Sequence, residues 1–206
     1  MFKLGLIINP LAGVGGSVAL KGSDGEDTAR TALALGAEPK AGIRTLQTLD
    51  VLKGLDIDLI TYPAEMGEAV ARQAGFTPQV IGSIQSGATS ANDTIQAAQD
   101  LVNYGVDLVL FAGGDGTARN ICAAIAEEVP VLGIPAGVKI HSGVYAVTPK
   151  AAGEIIAMLV KGELVTLGDQ EVRDIDEVAF REGRVRAKYY GDLLVPQEHR
   201  YLQQVK

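Results

Sequence analysis

Phe111-Ala112-Gly113-Gly114-Asp115-Gly116-Thr117 is the stretch on which the reading of this chain turns. Just before it, Asp107-Leu108-Val109-Leu110 is apolar without polar alternation, the pattern of a strand buried on both faces, as in a parallel sheet. After it, Ala118, Ile121, Cys122 and Ile125 recur at helical spacing, while Arg119, Asn120 and Glu127 fall off that stripe. The glycines therefore stand where a strand hands over to a helix. Gly113, Gly114 and Gly116 can take positive φ and carry no Cβ, so a ligand can approach the backbone closely. The helix that follows offers unpaired N–H groups to an anion. Asp115 has a plainer role open to it, as the cap of that helix. Near a helix N-terminus its carboxylate is expected to ionise more readily than usual, which suits orienting a hydroxyl better than full general-base work.

Upstream, Leu4-Gly5-Leu6-Ile7-Ile8 reads as a first buried strand, and Asn9-Pro10 ends it. The loop behind it supplies Gly13, Gly15, Gly16 and Ser17 in the place where open α/β sheets bind phosphates. Gly13-x-Gly15 begins a dinucleotide fingerprint, but the third glycine would fall at Val18, and the lysine of Lys21-Gly22 has no Ser or Thr behind it. A redox enzyme with an ordinary dinucleotide fold is therefore the weakest reading. Ser23 and Glu26 form a capping-box pair for a helix through residues 28–35. A further helix over residues 42–55 places Ile43, Leu46, Leu49 and Leu52 near one face. Residues 58–62 read as a strand, 65–74 as a helix closed by Gly75, and 79–83 as another strand. Ser90, Asn92, Asp93 and Thr94 open a helix that Gly105 ends, and capping suffices to explain the first three. Pro130 to Pro135 gives a strand whose exit carries Gly137, Lys139, His141 and Ser142.

This alternation gives an α/β fold, doubly wound, with a mostly parallel sheet and a short β-rich C-terminal segment. The expected division is a nucleotide-binding α/β domain over residues 1–162 and a β-rich extension, a truncated second domain, over 163–206. Right-handed crossovers bring four polar, glycine-bearing loops to one rim: 9–17, 86–94, 113–117 and 137–142. In the extension, residues 164–167, 171–175 and 178–180 read as strands, with a hairpin turn at Arg181-Glu182-Gly183-Arg184. The returning strand alternates, Val185, Ala187 and Tyr189 facing a core and Arg184, Arg186 and Lys188 facing outward.

Composition narrows the functions. A net charge of −7 and a pI near 4.9 argue against nucleic acid and anionic membranes as partners. The first apolar run is too short for a signal segment or a bilayer span, so a cytoplasmic protein is expected. The single cysteine, Cys122, reads as a small core residue. No His, Cys or carboxylate cluster has metal-cage spacing, so no protein-held metal is expected, and a divalent ion would arrive with phosphates. A homo-oligomer is the expected assembly.

The sequence resembles the superfamily of NAD kinases and diacylglycerol and sphingosine kinases. Gly113-Gly114-Asp115-Gly116-Thr117 matches its defining signature, Asn9-Pro10 with Gly13, Gly15 and Gly16 is similar to the first phosphate loop of the lipid-kinase branch, and Gly133-Ile134-Pro135-Ala136-Gly137 is similar to its later glycine-proline loop. Asn9-Pro-Leu-Ala-Gly, Lys21-Gly-Ser-Asp-Gly, Ser90-Ala-Asn-Asp-Thr and Lys139-Ile-His-Ser-Gly most resemble ATP-NAD-kinase-like proteins related to the acetoin-catabolism protein X. The resemblance implies a kinase that uses ATP or a related nucleotide with Mg²⁺ and acts on NAD or another small hydroxyl-bearing molecule. It implies Asp115 as the catalytic residue. Nucleotide contacts then fall to Asn9, Gly13, Gly15, Gly16, Asn92, Asp93, Thr94, Gly113, Gly114, Gly116, Thr117, Asn120, Gly137, Lys139, His141 and Ser142. The NAD-kinase branch also carries an Asn-Glu pair, which this sequence lacks. A non-catalytic, regulatory nucleotide- or NAD-binding module is the alternative.

Overall fold

The computed structural model describes residues 1–14, 39–125, 129–137, 140–163, 165–176, 179, 183–184, 186–198 and 201–203. The expected helix over 28–35, the loop residues Gly15 and Gly16, Lys139, residues 178 and 180 of the expected strand over 178–180 and half of the hairpin turn lie outside them.

Five parallel strands form the sheet: β1 (Phe2–Ile8), β2 (Ile57–Thr61), β3 (Gln79–Val80), β4 (Leu108–Gly113) and β5 (Val131–Pro135). Their order is β3-β2-β1-β4-β5. All six residues of β4 are buried, as an apolar strand between two partners and two helical layers requires. Among the described residues, five α-helices accompany the strands: α1 (Ala41–Leu52), α2 (Glu68–Gln73), α3 (Ala91–Tyr104), α4 (Asp115–Ala124) and α5 (Pro149–Val160). α1 packs on α5 and α3 on α4, so both sheet faces are covered. Among the described residues, no helix is long and apolar enough to cross a membrane.

The caps are local and explicable. Asp93 accepts from both the amide and the hydroxyl of Ser90 at the start of α3, and Thr148 accepts from the amide of Ala151 at the start of α5, with Pro149 in the first helical position. The helix expected over 65–74 is interrupted. A short 3₁₀ turn, Ala64–Met66, gives way at Gly67 to α2. Gly67 has φ +151, and a Cβ there would lie 1.9 Å from Thr61 Oγ1, so the break is where the chain presses on the sheet. β3 is likewise shorter than the expected 79–83, because Gly82 turns away against the Tyr62 ring.

In α1 the buried face is Ala41, Thr45, Thr48, Leu49 and Leu52, and Ile43 is 57% exposed, contrary to the apolar stripe expected. Two threonines take the inward positions because their hydroxyls bond carbonyls, Thr45 to Ala41 and Thr48 to Pro149 of α5. C-terminal to the sheet, β6 (Thr166–Ile175) and β7 (Ala187–Gln197) form an antiparallel ribbon packed on α4 and β5. Residues 166–175 are thus one strand where two were expected. Leu193 and Val195 face the core, whereas Tyr189 is 50% exposed. The register explains the reversal of the expected pattern. Arg173 pairs with Tyr189 and Val172 with Gly191, so Tyr190 is an extra residue that inverts the alternation on either side of it.

Candidate functional site

The strand order reverses between β1 and β4, since β2 and β3 lie to one side and β5 to the other. At such a reversal the loops from the carboxyl ends diverge and leave a crevice, the usual ligand site of an open α/β sheet. β1 and β4 are tied together at that point. The amide of Asn9 donates to Ala112 O (3.0 Å), extending the ladder one step past β1, and its side-chain Nδ2 donates to Thr117 Oγ1 (2.9 Å). Asn9 Oδ1 accepts from the amide of Leu11 and holds the exit turn. Three of the expected site residues, Asn9, Gly113 and Thr117, are therefore in one constellation.

The glycines are required by close approach. None of Gly113, Gly114, Gly116 and Gly137 has positive φ, contrary to the conformational role expected for the first three. A Cβ on Gly113 would lie 2.3 Å from Thr117 Oγ1, and one on Gly137 would lie 2.5 Å from Gly114 Cα. Gly113 O accepts from the amides of Ala136 (2.8 Å) and Gly137 (3.0 Å), which binds the exits of β4 and β5 back to back. Gly13 does need its freedom: it has φ +82, and its missing Cβ makes room for Ala136 O. Backbone thus meets backbone where the β5 exit joins those of β1 and β4.

Asp115 is the first residue of α4, and Gly114 occupies the cap position that Asp115 was open to filling. The residue is 9% exposed, and its carboxylate reaches across the crevice to the segment after β5. Oδ2 accepts from the amide of His141 (2.7 Å) and Oδ1 from that of Ser142 (3.0 Å). Burial pushes its pKa up, and the bonds from Ser142 and His141 only partly pull it back, so the net shift is upward. The expected lowering is overturned: desolvation by burial outweighs the hydrogen bonds that favour the charged form. A raised carboxylate is a better proton acceptor than the sequence suggested.

Ser142 is buried, and its hydroxyl is spent on the ribbon, donating to Arg173 O (2.8 Å) and accepting from Arg173 N (2.9 Å). The amide of Gly143 donates to Glu171 O alongside. His141 is half-buried. Tyr145 was not singled out by sequence. It is fully buried, its hydroxyl donates to Gly114 O (2.6 Å), its ring meets Phe111 edge-on at 5.4 Å, and it fills the space that a Cβ on Gly133 would need. Arg44 was missed as well. It lies on the polar side of α1, and its guanidinium donates to Pro135 O at the end of β5. A cation at helical spacing looks like a solvated face, so the sequence held no signal for either.

The other expected residues are more dispersed. Asn92 is exposed, Asp93 is engaged with Ser90, Thr94 is buried within α3, and Asn120 is half-buried on α4. The loop before α3 is anchored to the exit of β2, where the Glu65 carboxylate accepts from Ser86 Oγ (2.7 Å) and Gly87 N (2.5 Å). Cys122 is half-buried beneath Gly191, where burial raises its thiol pKa, so it does not carry nucleophile character. Among the described residues, no three His, Cys, Asp or Glu side chains gather as a metal cage. Asp115 supplies hard oxygen of the kind that suits Mg²⁺ carried on phosphates.

Comparison with known proteins places the chain in a family. The model of the ATP-NAD kinase N-terminal domain matches residues 4–164. The chain belongs to that family. The matched residues run from within β1 through β5 and α5 and stop just before the ribbon. No curated protein matches the chain. Among solved structures it is similar to a provisionally assigned diacylglycerol kinase from Bacillus anthracis str. Sterne, with 16% identity and a TM-score of 0.40 over 81% of this chain and 44% of that one. It is also similar to a UDP-GlcNAc 2-epimerase from Neisseria meningitidis, with 17% identity and a TM-score of 0.37 over 65% of this chain and 32% of that one. The chain spans less than half the length of either, and likenesses of this strength carry no argument about activity.

Proposed function

We propose that this kinase-family domain binds a nucleoside triphosphate in the β1/β4 crevice and transfers its terminal phosphoryl group to a small hydroxyl-bearing acceptor, NAD among the candidates. Within the superfamily we place it with the ATP-NAD-kinase-like proteins related to the acetoin-catabolism protein X, on the motifs at Asn9, Lys21, Ser90 and Lys139. The observation that carries the reading is the junction of Asn9 with Thr117 at the strand reversal, with the buried carboxylate of Asp115 beside it. Residues 1–162 would form the nucleotide domain, with the ribbon as its extension.

Phosphoryl transfer asks a protein chiefly for positioning and charge stabilisation. The crowded glycine backbones leave the rim open to phosphate oxygens. Asp115 takes the acceptor's hydroxyl proton as the acceptor oxygen bonds to the γ-phosphorus. The bond from that phosphorus to the β–γ bridging oxygen breaks, and the nucleoside diphosphate leaves. Mg²⁺ would enter on the phosphates and neutralise their charge.

A second reading, nucleotide binding without transfer, has its own support: both oxygens of Asp115 already accept backbone amides. The two readings part at Asp115→Asn. Under the kinase reading, transfer from ATP to NAD or another hydroxyl acceptor falls at least about 100-fold, in the range expected for general-base catalysis, while ADP affinity stays within about threefold. Equal turnover in variant and wild type removes Asp115 from the chemistry. ADP binding without transfer to any acceptor in the wild type supports the second reading.

A further inference from the structure

We infer that Arg44, with Lys40 beside it, is the phosphate-binding cation pair of this crevice, taking the polyphosphate of the nucleotide; the inference rests on the nucleotide reading above.

The need for such a pair is electrostatic. The chain carries −7, and the buried charge at the crevice is the carboxylate of Asp115, so a polyanion entering beside it requires a local countercharge. α1 leads into β2 at that strand's amino end, so the helix runs against the sheet and its first turn lies at the carboxyl rim. Arg44 sits in that turn. Its guanidinium donates to Pro135 O, and Pro135 is paired in register with Gly113 of β4. The cation is thus fixed one strand from the glycine-aspartate turn.

Lys40 stands just before α1, next to the β1 exit turn. A Cβ built on Gly13 would lie 2.3 Å from Ala136 O and 3.6 Å from Lys40 Cβ, so that turn meets both the β5 exit and Lys40. Lys40 is exposed, and α1 has no acidic residue in its first turn to neutralise it. Among the described residues, the Arg44 guanidinium bonds Pro135 O and Lys40 Nζ has no side-chain partner. A guanidinium holds five N–H donors in a planar fork, so one committed to a carbonyl leaves a pair for bidentate contact with phosphate. Holding one arm on Pro135 O also lowers the entropy lost when an anion docks.

The test is calorimetric titration of wild type, Lys40→Ala and Arg44→Gln with ATP, ADP, adenosine and inorganic tripolyphosphate, at two salt concentrations. Gln keeps an N–H donor for Pro135 O while removing the charge, and Lys40 is exposed, so unliganded melting temperatures should match wild type and show that both variants fold. Each variant is expected to lose about tenfold in affinity for ATP and tripolyphosphate, with a shallower salt dependence and no change for adenosine. Unchanged ATP and tripolyphosphate affinity in both variants overturns the inference and leaves the nucleotide reading standing. Wild type that binds tripolyphosphate through these residues but neither ATP nor ADP keeps the anion site and overturns the nucleotide reading. Wild type that binds none of them overturns both.

Discussion

The carboxylate of Asp115 holds the His141–Ser142 segment by both oxygens while standing nearly dry at the start of α4. Its raised pKa has a stability consequence whose sign is fixed by linkage. A carboxyl that binds its proton more tightly when folded than unfolded favours the folded state when protonated. That stability is lost as pH rises from the ordinary value of about 4 through the folded value. Wild type should therefore lose stability relative to Asp115→Asn across that window. Denaturant midpoints measured at intervals of pH check this, and parallel curves for the two proteins would contradict it. Tyr145→Phe should cost about 1 kcal/mol, because it removes the hydrogen bond from the buried Tyr145 hydroxyl to Gly114 O. Gly137→Ala should destabilise by about 1–3 kcal/mol, since its Cβ meets the backbone of Gly114 and not a side chain that can turn away. Both are read as shifts in denaturant midpoint.

At the scale of elements, the segment after β5 joins two parts of the chain. It is tied to α4 through Asp115 and to β6 through the two bonds between Ser142 Oγ and the backbone of Arg173. Ser142→Ala should leave the sheet intact but loosen this seam, giving faster hydrogen exchange at the amide of Arg173 and little change at β4. Legibility followed the same division. β4 and its glycine turn could be read because an unbroken apolar run beside a helix start has few alternatives. The orientation of Tyr189 could not be read, since one bulged residue at Tyr190 reverses every side chain beyond it. Ile43 misled for a related reason: hydroxyls that bond carbonyls can take core positions on a helix and leave an isoleucine outside. Long-range partners leave no local trace, so the grip of Asp115 on residues 141–142 and the tie from Arg44 to Pro135 had no sequence signature.

For the whole molecule, the strand order β3-β2-β1-β4-β5 places one reversal in the sheet, and family membership over residues 4–164 matches the part of the chain that builds it. The crevice at that reversal gathers Asn9, Gly113, Thr117, Asp115 and the segment carrying His141 and Ser142. Under the proposed function a nucleotide binds in this crevice. Backbone amide shifts recorded during titration of the 206-residue chain with Mg²⁺-ADP test it most directly. Saturable shifts are expected at Asn9, Gly113 to Thr117, His141 to Ser142 and the first turn of α1 around Lys40 and Arg44, with the far end of the β6–β7 ribbon unmoved. Saturable shifts elsewhere with these amides still, or no shifts at millimolar nucleotide, would contradict it.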